Sequence, residues 1–267
     1  MSDAKELLSN GKLTEAIEGT TAQVKSAPKD MALRWLLAEL LILKGENDRA
    51  DKQLDALVTL DPRVAVSATP IRQLLRAEQA RRQFYEEGRV PAFLDGATPA
   101  IHQRLESFVL LRDGKGKQAG DIAKQAEAAR PELSGKCVVN SEEISFKDIR
   151  DLDDITASVF EVFTCTGKYY WIDMSQVERI EFVKPERPLD LIWRKARLVV
   201  REAFDAEVHI PAVYGNLTGA DDATRLGRKT EWIGADEDAV TGVGRRSFVL
   251  DGETEIDIMS IETIDFS

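Results

Sequence analysis

Two cysteines and two histidines in 267 residues leave this chain short of the usual parts for chemistry. Cys137 and Cys165 are too few for a disulfide framework and are not spaced as a metal pair, so they read as reduced thiols of a cytosolic compartment. His102 falls in a helical region and His209 in a strand-like run before Pro211, which sets neither beside an obvious nucleophile and leaves no zinc spacing. No metal and no cofactor is expected. Long apolar runs are missing too, since nothing approaches the roughly 18 residues of a membrane span. The opening "MSDAKELLSNGKL" has neither the basic start nor the apolar stretch of a secretory signal. A cytoplasmic location and no membrane partner are expected. Phosphate-binding loops are absent as well: "DGKGKQAGD" (113–121) lacks the GxxxxGK[ST] arrangement, and "TGVGRR" (241–246) lacks a third glycine and a strand-to-helix setting.

What is present is charge, and it is unevenly placed. The net charge is −11, yet residues 1–133 carry 20 basic and 20 acidic side chains, whereas residues 134–267 carry 16 basic against 27 acidic. So acidic a second half repels phosphate backbones, which argues against nucleic acid and for a basic protein or peptide surface as partner. Simple solubility would account for the same acids. Hydrophobic residues make up 43% of the chain, enough to bury a real core.

The first half reads as helices. "DMALRWLLAELLILKG" (30–45) is apolar over most of its circumference and stops at Gly45; "ENDRADKQLDALVTLDP" (46–62) has Ala50, Leu54, Leu57 and Val58 at helical spacing and halts at Asp61-Pro62. Gly11, Ala16 and Pro28 lie 34 residues before Gly45, Ala50 and Pro62, and Gly114, Ala119 and Pro131 repeat the same internal spacing. A 34-residue period with a small mid-helix residue and a closing proline is the pattern of tetratricopeptide repeats. The array is short and irregular, because "PIRQLLRAEQARRQFYEEG" (70–88) is a long helix outside the pattern. Such arrays stack into a curved surface suited to a peptide or helix, and Trp35, Glu39 and Ile42, at repeat positions 5, 9 and 12, are the candidate groove residues. Trp35 and Ile42 would serve equally as core.

From Ser134 onward short alternating runs replace the helices. "ASVFEVFTCTGKYYWIDM" (157–174) reads as two strands joined at Thr166-Gly167, "VERIEFV" (177–183) alternates, and Asp251-Gly252 marks a hairpin. The fold class expected is therefore α+β: a tetratricopeptide-like helical domain, 1–133, followed by a mostly antiparallel β domain, 134–267, of six to eight strands forming a small barrel or rolled sheet.

One stretch, "LTGADDATRLGRKTEW" (217–232), could pass for a catalytic loop. Asp221 and Asp222 would act as acid and base only if burial in a cleft drove their pKa values apart, and adjacent residues rarely share one site. A cap from one of them on a short helix "DATRLG", closed by Gly227, needs less machinery. A hydrolase using this loop, with Arg228 or His209 beside it, stays open as the enzymatic alternative. Gly242 and Gly244 read as backbone freedom at a strand entry or bulge.

These letters in combination resemble the ImpE/TagJ family, also called SciE, of accessory proteins of bacterial type VI secretion systems. The resemblance rests on Tyr169-Tyr170-Trp171, Arg187-Pro188, Asp190, Trp193-Arg194, Ala196-Arg197, Asp221-Asp222, Arg225-Leu226-Gly227-Arg228, Trp232 and Gly242-Val243-Gly244. It covers the β half in order and suits the helical front half. The resemblance implies a non-enzymatic cytoplasmic adaptor that binds an amino-terminal helix of the small contractile-sheath subunit and assists sheath assembly, or its recycling by a dedicated AAA+ ATPase. A general peptide-binding scaffold outside secretion is the competing reading. The chain departs from commoner relatives at "GNLTGAD" and in the insertion "EWIGADEDAVTG", which marks both as tolerant loops.

Overall fold

The helix boundaries expected from glycine and proline are where local chemistry puts them in the computed structural model, which describes residues 2–267. The chain opens with α1 (Ser2–Ser9), α2 (Leu13–Ser26), α3 (Met31–Lys44) and α4 (Asn47–Leu60). Asp30 caps α3 by accepting the Leu33 N–H at 3.0 Å, and Gly45 ends it in the left-handed conformation, φ +84°, which a side chain would resist. Asp61 closes α4 and caps the short 3₁₀ turn Pro62–Val64. The long helix α5 (Ala65–Glu87) leads to α6 (Pro99–Arg112), capped by Thr98, and α7 (Gly116–Ala129). Helices α3 and α4 pair, α6 and α7 pair, and α1 to α3 pack in succession.

Strands then take over: β1 (Gly135–Val139), β2 (Glu142–Phe146), β3 (Ile149–Asp151), β4 (Val159–Thr164), β5 (Tyr169–Asp173), β6 (Val177–Phe182), β7 (Trp193–Val200) and β8 (Phe204–Pro211). A one-turn helix, α8 (Asp222–Arg225), precedes β9 (Thr230–Ile233), β10 (Thr241–Gly244), β11 (Ser247–Leu250), β12 (Thr254–Asp257) and β13 (Ile261–Phe266). Eight strands form one sheet in the order β2-β1-β13-β6-β7-β8-β4-β5, with β12-β11-β3 and the β9-β10 hairpin beside it. All pairs between named strands are antiparallel.

The α+β class therefore holds, but the expected small barrel does not. The large sheet is open, with β2 and β5 at its two ends. The β5 edge is met by the segment between α5 and α6: Ala92 donates to the Tyr169 carbonyl at 3.1 Å and accepts from Trp171 at 3.0 Å. That contact shields the edge without closing the sheet.

Alternation along β4 divides the interior. Phe160 and Val162 face a core inside the sheets, built with Ile180, Leu198, Phe248 and Ile264, while Val159 and Phe163 face the helices. The helix-facing core joins Leu40, Leu54, Ile71 and Phe84 to Trp171, Trp193 and Leu226, so helices and sheet share this core. Helix α3 lies at its centre, with every residue from Leu37 to Leu43 buried.

Helix α7 shows how close that packing runs. Gly120 is buried, and a Cβ there would drive into the backbone carbonyl of Glu237, whereas exposed Gly19 on α2 has nothing within 4 Å of the same position. Helix propensity alone would favour alanine at both sites. Gly19→Ala is expected to stabilise by about 0.5–1 kcal/mol, and Gly120→Ala to destabilise by about 1–3 kcal/mol, both read from urea unfolding midpoints. A gain in stability on Gly120→Ala would contradict the contact between α7 and the β9–β10 loop.

Candidate functional site

Glu161 is the third residue of β4, and its place in the alternation turns it toward the helices, at zero exposure. A lone buried carboxylate is costly, so its partners explain its survival. Arg81 on α5 grips it with two parallel bonds, Nε to Oε1 at 2.9 Å and Nη2 to Oε2 at 2.7 Å, and gives a further bond to the Val213 carbonyl at 2.8 Å. Arg246, just before β11, reaches Glu161 with Nη2 and Asp151 with Nη1, the latter at 2.9 Å. The Tyr169 hydroxyl also donates to Glu161 and accepts from Trp171 Nε1 at 2.6 Å; Tyr214 donates to Asp151 at 2.8 Å. Burial pushes the Glu161 carboxyl upward, but the Arg81 and Arg246 guanidiniums outweigh it and hold the group at about 2. Burial, and then the Glu161 charge, raise the Tyr169 hydroxyl well above its ordinary value, which keeps it a donor.

Three outer seams join the same two halves. Asp222 accepts the Thr14 N–H at 2.7 Å and Lys44 Nζ at 2.6 Å, and Arg228 donates to the Leu8 carbonyl at 3.1 Å. Arg187, beside the 3₁₀ turn Pro188–Leu191, pairs with Glu39 on α3 and lies 5.8 Å from the centroid of the Trp35 ring. Arg130 at the end of α7 makes a forked pair with Asp148, at 2.7 Å for its Nη1.

The candidate groove residues thus meet different fates. Trp35 is half-buried and donates from Nε1 to Glu39 at 3.0 Å. Glu39 is buried and committed to Arg187, and Ile42, 3% exposed, is part of the core, so neither is offered to a partner on the face where the repeat register put it. The cause is the sheet half itself, which covers that face of α3 with the 3₁₀ turn and α8. Trp35 instead lines a 520 Å³ groove whose floor includes Ile71, Leu74, Leu189 and Trp193 and whose rim carries Lys184 and Glu207.

The resemblance-bearing residues are mostly architectural. Trp171 is buried against Phe84, ring centroids 4.9 Å apart, Trp193 sits 6.0 Å from Phe163, and Tyr170 packs on the inner core. Asp190 accepts the backbone N–H groups of Glu186 and Arg187, each at 2.8 Å. Arg197 is exposed and forked onto Asp205, 2.8 Å from its Nε. Asp221 caps α8 through the Thr224 N–H at 2.8 Å, and Arg225 donates to the Leu217 carbonyl at 2.8 Å. Gly227 closes that turn at φ +59°. Trp232 is 41% exposed and edges onto Tyr214. Gly242 is needed for close approach rather than freedom, because a Cβ there would strike the Tyr214 ring; Gly244 has φ +102°. His209 lines the Trp35 groove, with its ring nitrogen held below its usual range by burial. Neither Asp221 nor Asp222 lines that groove or a second cavity beside α5. Among the described residues, no group of three or more His, Cys, Asp or Glu side chains could hold a metal, and no helix is long and apolar enough to cross a membrane.

Sequence reasoning missed the Glu161 cluster. Its signal was a glutamate inside "VFEVF", a charge in a strand otherwise apolar on both faces.

Geometry therefore defines an α+β scaffold whose helices and open sheet are joined by buried ion pairs. Residues 143–265 match the family model described as ImpE protein. The chain is 31% identical over 265 residues to a Pseudomonas aeruginosa protein described as "Type VI secretion system accessory component TagJ", covering 98% of this chain and 90% of that one. A crystal structure of a Vibrio parahaemolyticus protein superposes with a TM-score of 0.89 at 28% identity, across 99% of this chain and 97% of that one. The chain belongs to the ImpE/TagJ family of type VI secretion accessory proteins.

Removing the Glu161 charge leaves two buried guanidiniums undercompensated. Glu161→Gln is expected to cost about 3–5 kcal/mol at pH 7. Because the folded carboxyl titrates at about 2, below its unfolded value, its contribution is complete above the unfolded value and is lost as pH falls toward 2. The gap between parent and variant in urea unfolding should therefore narrow from pH 5 to pH 2.5; a gap that stays constant would contradict the pairing.

Proposed function

We propose that this chain is a non-enzymatic cytoplasmic adaptor of a type VI secretion system, which takes an amphipathic helix from the amino terminus of the small contractile-sheath subunit. By holding that helix it assists sheath assembly, or sheath recycling by the AAA+ ATPase. The helix pairs α3/α4 and α6/α7 are, on this reading, units of a tetratricopeptide-like array.

The observation that carries the proposal is the family relation across 98% of the chain, joined to a groove that retains a predicted contact residue. The groove suits a helix laid with one apolar face down: Trp35, Ile71, Leu74 and Trp193 offer apolar surface, and Lys184, Arg187 and Glu207 offer a mixed polar rim. The absence of catalysis rests on commitments of the acids, since Asp221 caps α8 and Asp222 bridges to Thr14 and Lys44.

Trp35→Ala is expected to weaken binding of a synthetic peptide carrying that sheath helix by ~2 kcal/mol or more, about thirtyfold in Kd, measured by calorimetry. Trp232→Ala, a change of exposed tryptophan on the β9–β10 hairpin, should leave the affinity alone. Equal binding by parent and a folded Trp35→Ala variant would place the helix elsewhere, and no binding by the parent would remove the adaptor reading.

A further inference from the structure

A second hollow, 470 Å³ in volume, lies where α3, α5 and α6 meet the 215–218 loop, and it shares no lining residue with the Trp35 groove. Its volume is in the range of small-ligand sites. Four cations line it, Lys44, Arg82, Arg112 and Arg225, against Glu78, Glu86 and Asp153. That excess is unexpected in a chain of net charge −11.

The cations differ in how far they are answered. Lys44 is paired with Asp222 at 2.6 Å, and Arg82 has Glu78 at 3.5 Å. Arg112 donates to the Glu86 carbonyl at 2.9 Å and lies over the Phe108 ring. Arg225 donates only to the backbone carbonyls of Leu217 and Ala220, and among the described residues no carboxylate lies within 4.0 Å of it. Arg82 and Arg225 converge: a Cβ on Gly45 would strike Arg82 Nη2 and lie 3.1 Å from Arg225 Nη1. Burial, followed by the repulsion of Arg82, lowers the Arg225 guanidinium, and the more distant charges of Asp222 and Glu46 do not restore it. Two of the three acids are already engaged. Asp153 accepts the N–H groups of Ile155 at 2.8 Å and Gly242 at 2.9 Å, and Glu78 faces Arg81, Arg82 and Trp193.

Next to this charge lies apolar surface. Phe108 and Leu111 form one wall and Ile155 and Leu217 another, while Ile233, 53% exposed, stands at the rim. Guanidinium pairs recognise planar carboxylates and phosphoryl groups through two parallel bonds.

We propose that this cavity binds a small organic anion, whose carboxylate or phosphoryl group lies between Arg82 and Arg225 and whose apolar body lies against Phe108 and Leu111. Its wall takes residues from both halves, so an occupant stabilises the junction between helices and sheet by mass action. The site is independent of the sheath-helix groove.

The test is a fluorescence titration of the full chain with 8-anilinonaphthalene-1-sulfonate, an organic anion with an aromatic body, at pH 7 and low salt. One saturable site is expected. Arg82→Gln and Arg225→Gln should each weaken it about tenfold or more, and Ile233→Glu, which brings an acid to the rim at an exposed position, should weaken it as well. Arg63→Gln, on an exposed turn outside the cavity lining, should bind as the parent does. Displacement of the dye by inorganic phosphate identifies a phosphoryl site, and displacement by benzoate a carboxylate site. The proposal is overturned if the parent shows no saturable site, if neither anion displaces the dye, or if variants with parental melting curves bind within about twofold of the parent.

Discussion

Glu161 is the carboxylate on which the two halves turn. It sits on β4, beside the β5 edge of the large sheet, faces the helices, and is answered by a guanidinium from each side: Arg81 from α5 and Arg246 from the strand region beyond β10. A pair of this kind is weak evidence of net stability, because desolvating three charges offsets much of their attraction. Its consequence is register. Fork-to-fork geometry admits one placement of α5 on the sheet, and the shared apolar core of Phe84, Trp171 and Trp193 then fills around that placement. The halves accordingly behave as one body, unlike two domains on a linker, and any surface at their border is preformed.

Much of the architecture was legible because it is written in local chemistry. Gly45 predicts a left-handed helix end whatever surrounds it, and Thr166-Gly167 and Asp251-Gly252 mark hairpins for the same reason. The cap at Asp221 was equally local, an acid three residues before the N–H it accepts. The β1–β2 hairpin was harder to see. It turns at Asn140-Ser141, both at positive φ, and serine is an uncommon choice there, so the turn signal was faint. Sheet closure has no local signature at all. Whether β2 and β5 meet depends on what lies at each edge, and the Ala92 segment that meets β5 comes from a loop 77 residues before Tyr169, with no pattern to reveal it.

The burial of Glu39 and Ile42 was illegible for a related reason. Repeat register puts Trp35, Glu39 and Ile42 on the groove face of α3, but register cannot say what covers that face. In an isolated array it would face a ligand. Here the chain's own sheet half occupies it, with Arg187 answering Glu39 and the apolar surface of Ile42 absorbed into the core. A helix as apolar all round as α3 carries the hint, since a helix with a free face keeps a polar stripe.

The same reasoning explains where binding capacity survives. A sheet packed over a helical array removes the array's open face but creates a border, and along that border neither half alone can close every gap. Trp35 stands at one such gap, between α3, α5 and the turn before β7; Arg225 stands at another, between the ends of α3 and α5 and the 215–218 loop. Each hollow draws its apolar wall from both halves; the charges of the Arg225 hollow come from both as well, whereas those of the Trp35 groove come from the sheet half. Substitutions that loosen the Glu161 pairing should therefore disturb both hollows together although they touch neither, because the distance across each is set by how α5 rests on the sheet.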